Sequence, residues 1–507
     1  MTMKRLELYK KLKSGTDIRG VAVETDGSPV QLDDFTVFDL TCGFCRWLID
    51  NGVKPSAFIA VGHDSRISSE RIKKQVISAI CAFNFNAFDC SLASTPAMFM
   101  TTVDLGCAAA VQITASHHPY DRNGLKFFTT QGGLNSEDLD KVIENTQGLI
   151  IPHHESFTIE RVDFMSVYAK NLREMICREV NAKVYDKPLS GYKIVVDAGN
   201  GVGGFYATEV LEKLGADISG SQFLNPDGMF PNHAPNPENK EAMRSISEAT
   251  LKNHADLGVI FDTDVDRASC VDENGNEINR NRLVALASII ALEENAGGTI
   301  VTDSVTSTGL TDFINNELGG VHYRYKRGYH NVINEQLRLN GEGVNCPLAI
   351  ETSGHAAFRE NYYLDDGAYL ITKIVIKMAQ MGKSGKKLES LIKNLKDPVE
   401  AAELRLKIDE EDFRSYGNRV IAELGDYAKT KAGWTIAPDN REGIRVFLDK
   451  EHGDGWFLLR LSVHDPIMPL NIESDSEGGT RLIALEIFDF LEKYSALDSK
   501  VVEDYIG

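Results

Sequence analysis

Thr114-Ala115-Ser116-His117-His118-Pro119-Tyr120-Asp121-Arg122-Asn123-Gly124-Leu125-Lys126 follows the apolar run Ala108-Ala109-Ala110-Val111-Gln112-Ile113. The run reads as a short buried strand. Beyond it come a hydroxyl, two imidazoles, an Asn-Gly pair read as a turn, and Lys126. A strand tip that sets a serine beside basic groups suits the making or breaking of a phosphoester. A polar turn between strands is the rival reading.

The same pattern recurs along the chain. Phe58-Ile59-Ala60-Val61 reads as a strand ending in Gly62-His63-Asp64-Ser65-Arg66, whose His63 and Arg66 are expected to brace loops. A helix from Ser68 to Cys81 follows, with Ser68-Ser69-Glu70 as its capping start. Tyr192-Lys193-Ile194-Val195-Val196-Asp197 breaks into the glycine-rich Ala198–Gly204, and Leu257-Gly258-Val259-Ile260-Phe261 breaks into Asp262-Thr263-Asp264-Val265-Asp266-Arg267. A third cycle opens at Gly298–Asp303. Strands alternating with helical stretches predict α/β layers. After Asp397-Pro398 the character changes. Ile444–Leu448 and Trp456–Ser462 read as a hairpin turning at Lys450–Gly455, and Leu482–Tyr494 as a closing amphipathic helix.

A chain of 507 residues exceeds one core, and three or four domains are expected. The boundaries read as 1–160, 161–297, 298–402 and 403–507. An apolar content of 42% and a charged content of 25% fit a soluble globular protein. No apolar run approaches bilayer-spanning length, and the N-terminus lacks a signal-peptide core, so a cytoplasmic protein with no membrane partner is expected. The net charge of −20 argues against a nucleic-acid partner but leaves room for a small anion in a locally basic cleft. Eight cysteines are scattered without a second pair at ligand spacing, which reads as buried thiols rather than a zinc or redox site.

Asp262, Asp264 and Asp266 alternate at a strand end, and three hard oxygen donors at that spacing suit Mg²⁺. An EF-hand loop would also begin this way and would use Glu273 at its twelfth position, but Arg267 stands at the sixth, where glycine is needed. A phosphatase with an aspartyl nucleophile is the stronger rival. Glu351-Thr352-Ser353-Gly354-His355 offers an acceptor, a hydroxyl and an imidazole for sugar hydroxyls, with Lys326-Arg327-Gly328-Tyr329-His330 nearby in sequence. Arg460-Leu461-Ser462-Val463-His464-Asp465-Pro466 is a candidate cradle for a phosphate dianion, which Arg binds through parallel hydrogen bonds. Each of these stretches also reads as a surface turn.

In this order, the motifs resemble the four signature loops of the α-D-phosphohexomutase family, which includes phosphoglucomutase, phosphomannomutase and phosphoglucosamine mutase. Ser14-Gly15-Thr16-Asp17-Ile18-Arg19-Gly20, read as a glycine-bounded loop, resembles that family's N-terminal loop. The resemblance spans nearly the whole chain. It implies three related mixed α/β domains plus a smaller α+β C-terminal domain around a central cleft. It also implies a phosphoprotein in which Ser116 carries the phosphoryl group, and Mg²⁺ held by that phosphate with Asp262, Asp264 and Asp266. Arg19, Lys126 and Arg267 would move the proton and position the phosphoserine. Glu351, Ser353 and His355 would bind sugar hydroxyls, with Arg327, Tyr329 and His330 beside them, and Arg460, Ser462 and His464 would hold the other phosphate.

The sequence departs from the family at His118, where Asn is usual, and at Leu461, Val463, His464 and Asp465 in the phosphate loop. The implied activity interconverts hexose 1-phosphate and hexose 6-phosphate through a hexose 1,6-bisphosphate, in a monomer or small homo-oligomer. The Glu-x-Ser-Gly-His loop resembles the mannose/glucose and glucosamine branches more than the glucose-only branch. Mannose and glucose phosphates are the expected substrates, with glucosamine phosphate second; a Mg²⁺-dependent sugar phosphatase and a catalytically silent sugar-phosphate-binding protein are the remaining alternatives.

Overall fold

The computed structural model describes residues 2–25, 27–152, 157–462 and 465–507. The chain divides into two compact units: residues up to Ile290 with Ser353–Ile392, and Ala291–Thr352 with Lys393–Gly507.

The first unit holds two α/β layers. In the first, Phe58–His63, Asn86–Leu92, Ala109–Ile113 and Ile159–Arg161 run parallel, while Arg122–Thr129 returns antiparallel between Ala109–Ile113 and Asp17–Val21. The parallel strands Phe58–His63 and Ala109–Ile113 are almost wholly buried, as expected of a sheet covered on both faces. The helix Asp34–Asp50 forms because Asp33 caps Thr36 N–H, and it buries Val37, Leu40, Phe44, Trp47 and Leu48 against this sheet's core. In the second layer, Ile194–Asp197 and Leu257–Phe261 are parallel, and Ala268–Asp272 folds back beside Leu257–Phe261. The helix Gly367–Gly382 belongs to the same unit. Asp366 caps it at Tyr369 N–H (2.8 Å) and accepts Tyr168 Oη–H at 2.6 Å.

In the second unit, Thr299–Thr302 lies between and parallel to Val321–Arg324 and Leu348–Ile350. The C-terminal region is a five-stranded antiparallel sheet in the order Glu400–Lys407, Ile467–Ser474, Gly455–Leu459, Ile444–Leu448, Trp434–Ile436. The expected hairpin of Ile444–Leu448 and Gly455–Leu459 is present, and Gly479–Leu491 packs Ile483, Ile487 and Leu491 into this sheet's core. The fold class is the expected one: three α/β layers and a C-terminal α+β layer. Among the described residues no helix is long and apolar enough to cross a membrane. All eight cysteines are buried free thiols, and burial pushes Cys42 and Cys90 up to about 12.

Three local expectations are corrected. Asn123-Gly124 is not a turn but lies within the strand Arg122–Thr129. A Cβ on Gly124 would stand 2.3 Å from the Ile18 carbonyl oxygen and 2.6 Å from that of Thr114, so glycine serves close backbone approach here. The Asn123 amide donates to Ser68 Oγ (2.9 Å) and Ser69 Oγ (3.1 Å). Those bonds explain the second correction: Ser68 precedes the helix Ser69–Ala82 but makes no side-chain cap bond, its hydroxyl being turned to Asn123. Third, the stretch around Arg19 is a strand, Asp17–Val21, paired with Arg122–Leu125.

Candidate active site

Ser116 follows the buried strand Ala109–Ile113 and is itself 3% exposed, with φ +50°. A non-glycine residue in this region costs energy and persists where the surroundings impose it. Arg66 imposes it. Its guanidinium donates to the carbonyls of Pro119 (2.6 Å), Arg122 (2.9 Å), His118 (2.6 Å) and Ser116, and pairs with Asp64 Oδ2 at 3.1 Å. Thr114 Oγ1 accepts Ser116 N–H at 2.9 Å and donates to Asp64 Oδ2 at 2.7 Å. Arg66 thus braces the serine loop, as the sequence suggests.

The acidic loop closes on the serine from the neighbouring layer. Ser116 Oγ donates to Asp262 Oδ2 at 3.2 Å and accepts Arg267 Nη2–H at 2.9 Å. Arg267 also donates to Asp262 through Nε (3.0 Å), Nη2 (2.9 Å) and its backbone N–H (3.2 Å). Asp262, Asp264 and Asp266 are buried, and one oxygen of each lies within 4.8 Å of the others. Lys126 Nζ reaches Asp266 Oδ2 (2.5 Å) and Asp264 Oδ2 (3.4 Å), and Thr95 Oγ1 donates to Asp264 Oδ2. Val265, between two of the aspartates, has φ +67°. The loop is held there by Thr95 N–H on the Asp264 carbonyl (2.9 Å) and Gly367 N–H on that of Val265 (3.0 Å).

The electrostatics follow from burial and spacing. Burial, reinforced by the Asp266 charge, pushes the Asp262 carboxyl well above the usual range. Burial acts the same way on Asp266, but Lys126, His355 and Arg267 overcome it and hold that carboxylate ionised. Burial opposes the Arg267 cation, yet Asp262 and Asp266 outweigh it and raise its pKa. Beside Arg267, His117 is held neutral chiefly by that charge, and its Nδ1 accepts Arg267 Nη2–H at 2.8 Å. Burial, then Arg19, lowers His118 to about 3, so the imidazole standing where the family has Asn is also neutral at physiological pH. Its ring stacks on His117 at 5.1 Å.

A cation fits this donor set. Among the described residues, Asp264 Oδ1 and Asp266 Oδ1 are buried and accept no hydrogen bond, the arrangement carboxylate oxygens take when a metal is their partner. The EF-hand alternative fails on local structure, because the loop joins the strands Leu257–Phe261 and Ala268–Asp272 rather than two helices.

Of the other expected site residues, Arg19 pairs with Asp17 Oδ2 at 2.8 Å on its strand. His355 is bridged to Arg267 through the backbone; its Nε2 stands 3.6 Å from Asp266 Oδ1, and its Nδ1 is 2.9 Å from Ser353 Oγ. Ser116, Lys126, Arg267, the three aspartates, Ser353 and His355 are therefore gathered in the first unit. Thr95 and His117 belong with them, and no sequence signal marks Thr95.

In the second unit, Glu351 accepts Gly328 N–H at 2.6 Å after the strand Leu348–Ile350. Arg327 Nε lies 4.0 Å from Asp303 Oδ2, and Arg327 N–H donates to Glu442 Oε2 at 3.1 Å. Tyr329 and His330 open the helix Tyr329–Gly341 with ring centroids 4.8 Å apart. Arg460 is buried just beyond Gly455–Leu459; burial lowers its pKa, with Glu442 acting against that. Ser462 Oγ accepts Asp465 N–H at 3.3 Å, and His464 lies outside the described residues.

Residues 10–148, 166–275 and 279–398 match, in turn, the α/β/α domains I, II and III of phosphoglucomutase/phosphomannomutase. The chain belongs to the α-D-phosphohexomutase family. It is similar to a phosphomannomutase/phosphoglucomutase of Pseudomonas syringae pv. tomato, 29% identical over 422 residues, covering 83% of this chain and 84% of that one. A phosphoglucomutase/phosphomannomutase of Thermococcus kodakarensis is 30% identical over 427 residues, covering 83% and 87%. Among solved structures, a phosphoglucomutase/phosphomannomutase family protein of Burkholderia thailandensis superposes with TM-score 0.78 at 25% identity, covering 96% of this chain and 99% of that one. As a member of this family, the chain is an enzyme of the phosphohexomutase class.

Proposed function

We propose that the protein shifts a phosphoryl group reversibly between the 1- and 6-positions of a hexose phosphate, with mannose and glucose phosphates as substrates. The observation that carries this reading is the buried Ser116 hydroxyl, 2.9 Å from Arg267 Nη2 and 3.2 Å from Asp262 Oδ2 beside the aspartate triad. In the active form Ser116 carries the phosphoryl group. Asp262, Asp264 and Asp266, with that phosphate, hold Mg²⁺, which when bound offsets charge on the transferring group.

The chain's own residues do the rest. Arg267 steadies the oxygen of Ser116 and the phosphoryl charge next to it. Lys126, an ammonium held against Asp266, gives a proton to the Ser116 oxygen as that oxygen leaves the phosphoryl group; the amine then takes up the proton of the attacking sugar hydroxyl, and the reverse transfer runs these steps backwards. Arg19 helps to position the phosphoserine. Glu351, Ser353 and His355, with Arg327, Tyr329 and His330, bind the sugar. Arg460, Ser462 and His464 hold the phosphate that is not transferred. The bisphosphorylated sugar turns over and returns its other phosphate to Ser116. Burial of Ser116 keeps water from the phosphoserine.

The phosphatase reading needs Asp262 as nucleophile. Both Asp262 oxygens are occupied by Arg267 and Ser116 donors, which favours a supporting role for it. The test is Ser116→Ala assayed on glucose 1-phosphate with a trace of glucose 1,6-bisphosphate. Loss of isomerisation is expected, with no release of free phosphate by the wild type. Wild-type turnover in the variant would sink the phosphoserine mechanism. Parallel kcat/KM values on glucose, mannose and glucosamine 1-phosphates test the substrate, with the amino sugar expected last.

A further inference from the structure

Segment 225–238 carries Pro226, Pro231, Pro235 and Pro237 and forms neither helix nor strand, yet it is anchored throughout within the first unit. Its main anchor is His233, whose side chain is 1% exposed. Nδ1 stands 3.0 Å from the Ala234 carbonyl oxygen, and Nε2 stands 3.1 and 3.0 Å from the two oxygens of Asp197, at the end of the strand Ile194–Asp197. Both ring nitrogens face acceptors, so both carry hydrogen and the ring is an imidazolium. Burial works against that charge, and Asp197 outweighs it. Asp197 also accepts Gln222 Nε2–H at 2.7 Å and Gly199 N–H at 2.9 Å, so its carboxylate is itself held. Asn200 ties the segment again, accepting Asn232 Nδ2–H at 2.7 Å and donating to the Asn225 carbonyl at 2.9 Å.

Both arginines that organise the serine loop meet this segment. The Arg66 guanidinium carbon is 5.3 Å from the Phe230 ring centroid, and a Cβ on Gly228 would stand 2.5 Å from the Ser65 carbonyl oxygen. Arg267 divides its fork. Nη2 serves Ser116 Oγ, whereas Nη1 donates to Asn236 Oδ1 at 3.4 Å and stands 3.8 Å from Glu238 Oε2. A guanidinium is planar and rigid, so acceptors at Nη1 fix where Nη2 points. Asn236 Oδ1 also accepts Glu238 N–H at 2.9 Å, which keeps the two acceptors together.

We propose that segment 225–238 is part of the serine centre: Asn236 and Glu238 are positioning residues that aim Arg267 at the Ser116 oxygen, and His233 on Asp197 holds them in place. The proposal rests on Ser116 as the phosphoryl carrier. Neither positioning residue is among the groups assigned to the sugar or to its other phosphate, so their loss acts on phosphoryl transfer and leaves substrate capture alone.

The test compares wild type, Glu238→Gln and the double variant Asn236→Asp/Glu238→Gln, which returns a carboxylate to Arg267 Nη1 from the neighbouring position. On glucose 1-phosphate with a trace of glucose 1,6-bisphosphate, Glu238→Gln is expected to lower kcat about tenfold or more, with KM within about twofold of wild type. The double variant is expected to recover most of that loss, which moving the charge could not do if the role were only structural. Unchanged kcat in Glu238→Gln, or no recovery in the double variant, overturns the proposal. Crystal structures of wild type and Glu238→Gln give a readout that needs no turnover. The 2.9 Å contact of Arg267 Nη2 with Ser116 Oγ should open beyond hydrogen-bond range in the variant, and its persistence overturns the positioning role. If the wild type itself fails to isomerise the sugar phosphate, the phosphoserine reading falls, and that distance still decides whether Glu238 aims Arg267.

Discussion

Lys126 Nζ stands 2.5 Å from Asp266 Oδ2, a contact between residues 140 positions apart that ties the strand after the serine loop to the acidic loop. The pair is buried, so the ammonium and carboxylate sustain each other in a place where either alone would be expelled or neutralised. That arrangement fixes the ammonium against two members of the aspartate triad.

If Lys126 moves the proton, Lys126→Met lowers kcat by about 10²–10⁴-fold and changes KM little. Lys126→Arg separates charge from proton transfer, because guanidinium keeps its proton. It restores the ion pair and not the rate. A Lys126→Arg enzyme within tenfold of wild type would show that only the charge matters.

The idle oxygens of Asp264 and Asp266 predict metal dependence. Chelation with EDTA should stop turnover and added MgCl₂ restore it. Calorimetry should find Mg²⁺ bound at least tenfold more weakly by Asp264→Asn, since one of three carboxylates loses its charge. Unchanged Mg²⁺ affinity in that variant removes Asp264 from the ligand set.

Arg66→Met is expected to destabilise the first unit by about 3–5 kcal/mol, because it strands the buried Asp64 carboxylate. It also leaves the carbonyls of Ser116, His118, Pro119 and Arg122 without their common donor. Urea unfolding of variant and wild type measures the cost. A shift of less than 1 kcal/mol would mean that the serine loop is held by something else.

Asp366 gives stability a pH dependence. Burial outweighs the donors from Tyr168, Tyr369 and Asn361 and raises its pKa from 3.8 to about 6. The folded chain therefore holds this proton more tightly than the unfolded chain does. The contribution is full below about pH 4 and is lost as pH rises towards 6, on the order of 3 kcal/mol across that window. Asp366→Asn should flatten that part of the stability profile. An unchanged slope between pH 4 and 6 assigns the dependence elsewhere.

Much of this was legible in the sequence because strand tips announce themselves. Ser116 and the three aspartates each follow an apolar run, and a buried strand can only present polar chemistry where it ends. What stayed hidden depended on contacts across the chain. Nothing around Thr95 reveals that its hydroxyl meets Asp264, 169 residues away. Asn123-Gly124 has the composition of a turn. Its strand conformation follows from tertiary demands: room for the Ile18 and Thr114 carbonyls, and two serine hydroxyls to bind. Ser68 looks like a helix cap for a sound local reason, and a distant amide claims its hydroxyl instead.

The eight buried thiols have a practical consequence. Alkylating reagents attack the thiolate, and burial withholds both the sulfur and its ionisation. The native chain should therefore be silent to maleimides, so one cysteine introduced on the surface of either unit becomes a unique attachment point. Dyes or spin labels placed this way would report on the enzyme during turnover without first stripping it of cysteine.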